Sequence, residues 1–147
     1  MTDALPENSG KCPVAYALDL IGDRWTLLIV RDMLFRGKTS FVEFTRSHEK
    51  ISTNILTNRL QRLEASGIVT KSRAPGNAKV FVYGLTEKGL DLIPVLLEMI
   101  AWSAAHDGPL DEGQPLVAGA PDNLLDWMRH DRAYLIREIR AKAMTAR

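Results

Sequence analysis

The sequence predicts a mainly α-helical chain with one small β-hairpin, and three observations lead there. Apolar residues recur at helical spacing through most of residues 13–105 and again from 124 to 139. One stretch alone, "IVTKSR" and "KVFVYGL" around "APGNA", reads as two strands joined by a Pro-Gly turn. Proline or hydroxyl residues open the helical segments and glycines close several of them.

Residues 1–11 form a polar tail, expected to be flexible. Pro13 suits the first turn of a helix. Ala17, Leu18, Ile21, Trp25, Leu28, Ile29 and Met33 follow at helical spacing, with a break between two helices at Gly22 and a stop at Gly37. "TSF" allows a short strand or an extended approach to "FVEFTRSH", a brief helix with Phe41 and Phe44 inward. Ser52 is a good N-cap for the next helix. Ile51 and Leu56 flank it at the spacing of a hydrophobic staple, and the helix runs to Ser66 before Gly67 stops it. After the hairpin Thr86 caps a helix bearing Leu90, Ile93, Leu97, Ile100 and Ala104, in which Pro94 is expected to introduce a kink. Residues 106–121 are a Pro-rich loop, and Asp122 is expected to cap one last helix through Ala146. The organisation is thus a tail (1–11), a helical and hairpin domain (12–105), a loop (106–121) and an appended C-terminal helix (122–147).

With 147 residues, 46% hydrophobic and 25% charged, the chain suits one globular domain with a real core. No apolar run approaches the roughly 20 residues of a membrane span, and "MTDALPENSGKCP" lacks the layout of a secretory signal. A single cysteine cannot form an internal disulfide, so a cytoplasmic protein without membrane association is expected. Net charge is only +1, yet Arg24 to Lys79 holds eleven Lys and Arg against four Asp and Glu, a local +7. A basic middle between acidic ends points to a local anionic partner.

The helix in "KISTNILTNRLQRLEASGIV" carries the most informative face. Leu56, Leu60 and Leu63 make its apolar stripe, but the opposite side presents Asn54, Thr57, Asn58 and Gln61 where a plain solvated helix would alternate Lys and Glu. A helix–turn–helix followed by a basic hairpin is the winged-helix arrangement, whose second helix lies in the DNA major groove. Asn and Gln amides there can pair with adenine N6 and N7, and Thr offers a hydroxyl and a methyl. Ser52 and Thr53 sit at the start of this helix, Arg59 and Arg62 at its border where they suit phosphates, and Lys71, Arg73 and Lys79 on the hairpin wing. The predicted fold class is therefore a winged helix-turn-helix DNA-binding domain, to which the family resemblance described next adds N- and C-terminal dimerisation helices, and the predicted partner is double-stranded DNA. The alternative is a winged-helix protein-interaction module without DNA binding, against which the three wing cations argue.

The same residues resemble the HxlR-type winged-helix regulators of bacteria, a MarR-like group. The similarity rests on "CP" at Cys12–Pro13, "ALDLIGDRWTLLIVRDML", "FVEFTRS", "IS…L..RL..LE..GIV" and "YGLTEKG", and covers about residues 12 to 103. It implies a transcription regulator that binds a pseudo-palindromic operator as a homodimer, often linked to stress or metabolite sensing. Asp23 departs from the small residue expected before Arg24, and the segment after residue 105 exceeds the shorter members. The apolar side of the appended helix, Leu124, Leu125, Met128, Leu135, Ile136 and Ile139, needs a cover. The other protomer is the expected one, extending a seam built by the first helix and the Leu90–Ala104 helix.

Cys12, beside Lys11 at a helix start, is the candidate sensor of oxidants or electrophiles; the alternative is a small thiol packed in a dimer seam. Some members of the resembling family use a cysteine at this motif in that way. Trp25, Trp102, Trp127, Tyr16 and Phe35 could line a pocket for a small-molecule effector, although aromatic residues at this spacing more often fill cores. His106–Asp107 and His130–Asp131 echo metal phosphohydrolases, but too few further ligands exist, so no metal and no cofactor is expected. With no phosphate-binding glycine loop and no Ser-His-Asp set, an enzyme is not expected.

Overall fold

A computed structural model describes residues 12–106 and 128–145. Helices α1 (Pro13–Ile21), α2 (Arg24–Arg36), α3 (Phe41–Thr45) and α4 (Thr53–Ala65) precede a hairpin of β1 (Val69–Ala74) and β2 (Asn77–Leu85). Helices α5 (Glu87–Leu90), α6 (Ile93–Ala105) and α7 (Arg132–Thr145) follow it.

Local chemistry sets the boundaries. Pro13 occupies the first turn of α1, and Gly22 ends it with an N–H donated back to Leu18. Gly37 terminates α2 in the left-handed conformation, φ 63°, which a side chain disfavours. At α3 the Ser40 hydroxyl accepts from the Glu43 N–H while the Glu43 carboxylate accepts from the Ser40 N–H, a reciprocal capping box. Ser52 caps α4 through the Ile55 N–H, and both staple residues, Ile51 and Leu56, are buried. Helix α3, a left-handed corner at Lys50 and α4 make the helix–turn–helix.

The hairpin is antiparallel, with Val69 opposite Leu85 and Arg73 opposite Phe81. "TSF" adds a single bridge, Ser40 to Val82, which ties the start of α3 to the wing. Gly89 makes the junction after it: a Cβ there would sit 2.4 Å from the Ile68 carbonyl oxygen, so only glycine lets α5 lie against the wing base.

The core gathers Val30, Phe44, Leu56, Leu60, Leu63, Ile93 and Leu97, each at most 1% exposed. Two expectations about the later helices are corrected. Thr86 caps only the short α5, and Pro94 lies in the first turn of α6, where its missing N–H costs nothing. Two helices thus replace one kinked helix. Similarly the appended helix is not continuous. Residues 128–130 are helical, then Asp131 interrupts and its carboxylate caps α7 by accepting from the Tyr134 N–H at 3.0 Å. Asp122 lies outside the described residues.

The other protomer is the expected cover for the apolar side of α7, and the structure supplies one from within the chain. Helix α7 lies on α2 and α6 of its own subunit, with Leu135 and Ile139 buried in the common core beside Met128. Ion pairs tie its first residue and its middle to the same subunit: Arg132 to Glu98 of α6, and Arg140 to Glu87 and Asp91 around α5. Of the expected apolar stripe, Met128, Leu135, Ile136 and Ile139 pack in the core of the same chain, while Leu124 and Leu125 lie outside the described residues.

Candidate nucleic-acid interface

With its leucines inward, α4 turns Thr53, Asn54, Thr57 and Gln61 to solvent, together with the capping Ser52. Asn58 and Arg62 stand half-buried at the margins. The Thr57 hydroxyl donates to the Thr53 carbonyl at 2.8 Å, so outwardly it offers an acceptor lone pair. On the wing Lys71, Arg73 and Lys79 are all exposed. Phe81 organises two of them, with the Lys71 ammonium 4.3 Å and the Arg73 guanidinium 4.6 Å from its ring centroid. Arg73 also donates to the Ala78 carbonyl across the hairpin.

Arg59, expected at the border as a phosphate contact, has a protein partner. Its guanidinium turns towards α2 and pairs side-on with Asp23, at 2.7 Å to one carboxylate oxygen and 3.1 Å to the other. Asp23 is simultaneously the N-cap of α2, accepting from the Thr26 N–H at 3.0 Å. The Arg59 hydrogen bonds hold the Asp23 carboxyl down from the usual 3.8 to about 2, aided by Thr26 and opposed by partial burial. The acid that departs from the expected small residue is therefore the brace between α2 and α4.

A second ionic network fixes the corner of the helix–turn–helix. Asp32, 2% exposed within the apolar run of α2, accepts from Arg31 at 2.7 Å, Lys38 at 3.1 Å and the Ser47 hydroxyl. Arg31 also grips Glu49 through two hydrogen bonds, of 2.5 and 3.0 Å. That contact draws the Glu49 carboxyl from 4.5 to about 2. Because Glu49 precedes the Lys50 corner, the angle at which α4 leaves α3 is tied to α2 by charge-assisted bonds.

Sequence reasoning missed Asp23, Arg31, Asp32, Ser47, Glu49 and Phe81. The signals existed: Asp-x-x-Thr before an apolar run is a capping pattern, and a charged pair inside "TLLIVRDMLF" demands partners if the helix is buried.

The sensor candidates separate. Cys12 is exposed at the N-cap of α1. Phe35 is buried in the core, Tyr16 and Trp102 face solvent, and Trp25 lines a shallow depression with Leu28, Phe44 and Ile51. These four therefore occupy distinct environments and do not converge on one cavity; Trp127 lies outside the described residues. Among the described residues, exposed apolar side chains are most numerous on two helices, Val14, Tyr16 and Leu18 on α1 and Val95, Met99 and Trp102 on α6.

The model of the HxlR-like helix-turn-helix family matches residues 20–110, which span α2 to α6 with the wing. The chain belongs to the HxlR-like family. Among its relatives, the HTH-type transcriptional regulator YybR of Bacillus subtilis is 36% identical over 104 residues, covering 71% of this chain and 82% of YybR. YodB of the same organism, also an HTH-type transcriptional regulator, is 39% identical over 101 residues, 68% of this chain and 89% of YodB. The solved reduced form of YodB superposes with a TM-score of 0.56 at 37% identity, over 69% of this chain and 99% of that one. The redox regulator HypR in its oxidised form gives 0.58 at 36% identity, over 65% and 97%. Helix α7 of this HxlR-like chain lies beyond the matched residues, and Cys12 precedes them. Among the described residues no helix is long and apolar enough to cross a membrane.

Proposed function

We propose that this HxlR-like protein is a transcriptional regulator that binds a pseudo-palindromic operator as a homodimer. The observation that carries the reading is the outer face of α4: exposed amides and hydroxyls at Asn54, Thr57 and Gln61, beside a wing with three exposed cations. Amide and hydroxyl groups at this spacing match base edges in the major groove, and the wing cations match phosphates. The membership of transcriptional regulators in the same family supports it. Dimerisation is supported by the exposed apolar residues of α1 and α6; a side chain such as Trp102, 70% exposed, gains from a partner surface. A two-fold pair of chains then sets two α4 helices on half-sites about 34–36 Å apart.

The test is enrichment of bound duplexes from a random library, with sedimentation of the free protein. A two-fold symmetric sequence and a dimer are expected. Replacing Gln61 with Ala then relaxes preference at one position of each half-site. A monomer that enriches no sequence overturns the reading.

Cys12 is the sensing position in this reading, supported by its exposed thiol at the N-cap of α1. HypR is a redox regulator, and one YodB structure is quinone-bound, so peroxide and a quinone are the probes. Both should alter operator affinity in the wild type and leave Cys12→Ser unaffected. Unchanged binding after proven modification of Cys12 assigns the thiol to packing alone.

A further inference from the structure

One contact reaches from the fold's interior to the proposed DNA face. The Arg59 guanidinium, held side-on by Asp23, also donates from Nη1 to Oδ1 of Asn58 at 2.5 Å. Arginine has only donors, so the Asn58 atom facing it must be the carbonyl oxygen and cannot be the amide nitrogen. The N–H2 group then takes the other corner of the planar amide. Asp23 cannot swing to release this arrangement, because the Thr26 N–H and hydroxyl hold it as the α2 cap at 3.0 and 3.3 Å. Asp23 thus accepts from Thr26 on one side and from Arg59 on the other, and Arg59 in turn donates to Asn58, which fixes the free end of the Asn58 amide as a donor.

An unconstrained asparagine pairs bidentately with adenine, its oxygen accepting from N6 and its nitrogen donating to N7. Here a charged donor already takes one of the oxygen's two lone pairs, and the amide plane is set before DNA arrives. We propose that Asp23 and Arg59 are specificity-determining residues, which fix Asn58 to read an acceptor edge, guanine N7 and O6 foremost or thymine O4, and to disfavour adenine. The proposal rests on the DNA-binding reading and adds the base class that one position of each half-site must carry.

Selection from a random duplex library with the full chain tests it. The position that loses its preference in Asn58→Ala identifies the base that Asn58 reads. In the wild type that position should be guanine or thymine. Asp23→Ala frees the relay, and adenine should gain there by about tenfold, the scale of one paired base contact, while other positions keep their preferences. Asn58→Asp keeps an oxygen towards Arg59 and replaces the outward donor with an acceptor, so the position should move to cytosine, whose N4 donates. Thermal melts report whether each variant is folded, and Asn58→Asp decides if Asp23→Ala is not. Adenine at that position in the wild type, or the same base in all folded variants, overturns the relay while leaving DNA binding intact. A wild type that enriches nothing removes the DNA-binding reading and this inference together.

Discussion

Replacing Ile139 with alanine tests whether α7 belongs to its own subunit's core. The side chain is 1% exposed and packs with Leu135 against α2 and α6. Three buried carbons are lost, worth about 2.4 kcal/mol at ~0.8 kcal/mol each, and an incompletely collapsed cavity adds to that. The expected cost is about 3–4 kcal/mol, which for a chain of this size lowers Tm by on the order of 10 °C. Urea denaturation followed by circular dichroism measures it. Met144→Ala on the same helix, at an exposed site, is the control and should stay within about 0.5 kcal/mol. Sedimentation of both variants completes the assay, because a helix packed within its subunit leaves the dimer dissociation constant unchanged. A cost below about 1 kcal/mol, or weakened dimers with unaltered subunit stability, refutes the intramolecular packing.

Other outcomes follow from the same geometry. Gly89→Ala should cost about 2 kcal/mol or more in a thermal melt, since the new Cβ meets the Ile68 carbonyl at 2.4 Å and the Leu85 side chain at 2.8 Å. Asp23 and Glu49 have folded pKa values of about 2 against ordinary values of 3.8 and 4.5. Between these limits the unfolded chain binds more protons, so their contribution is full above pH 4.5 and is lost as pH falls towards 2. Urea midpoints across that range should drop less steeply in Asp23→Asn. Lys79→Ala should reduce the slope of log affinity against log salt by about 1 without changing base preference.

Most of the fold was legible because its cues are local. Ser52 and Thr86 announce their helices, Pro-Gly marks the hairpin turn, and Leu56, Leu60 and Leu63 identify the buried side of α4. The partner of an apolar stripe is not a local property. The residues of α7 say which side must be covered, but only the groove between α2 and α6 says by what. Proline was misjudged for a related reason: Pro94 forbids a helix interior, yet whether it kinks one helix or starts another depends on the turn before it. At the candidate site, residue type located the polar face of α4, whereas the roles of individual side chains needed coordinates. Arg59 has the composition of a phosphate contact, and the acid that claims it stands 36 residues earlier in the chain.

The central claim is that α4 reads DNA sequence through its exposed amides. Fluorescence anisotropy on an enriched duplex and a scrambled one, for the wild type and for Asn54→Ala/Gln61→Ala, tests it most directly. The wild type should prefer the enriched duplex by about 10³-fold or more at fixed salt. The double variant should lose about 1–3 kcal/mol of that preference per contact while binding the scrambled duplex unchanged. Equal affinity of the wild type for both duplexes, or an undiminished preference in the double variant, contradicts the account.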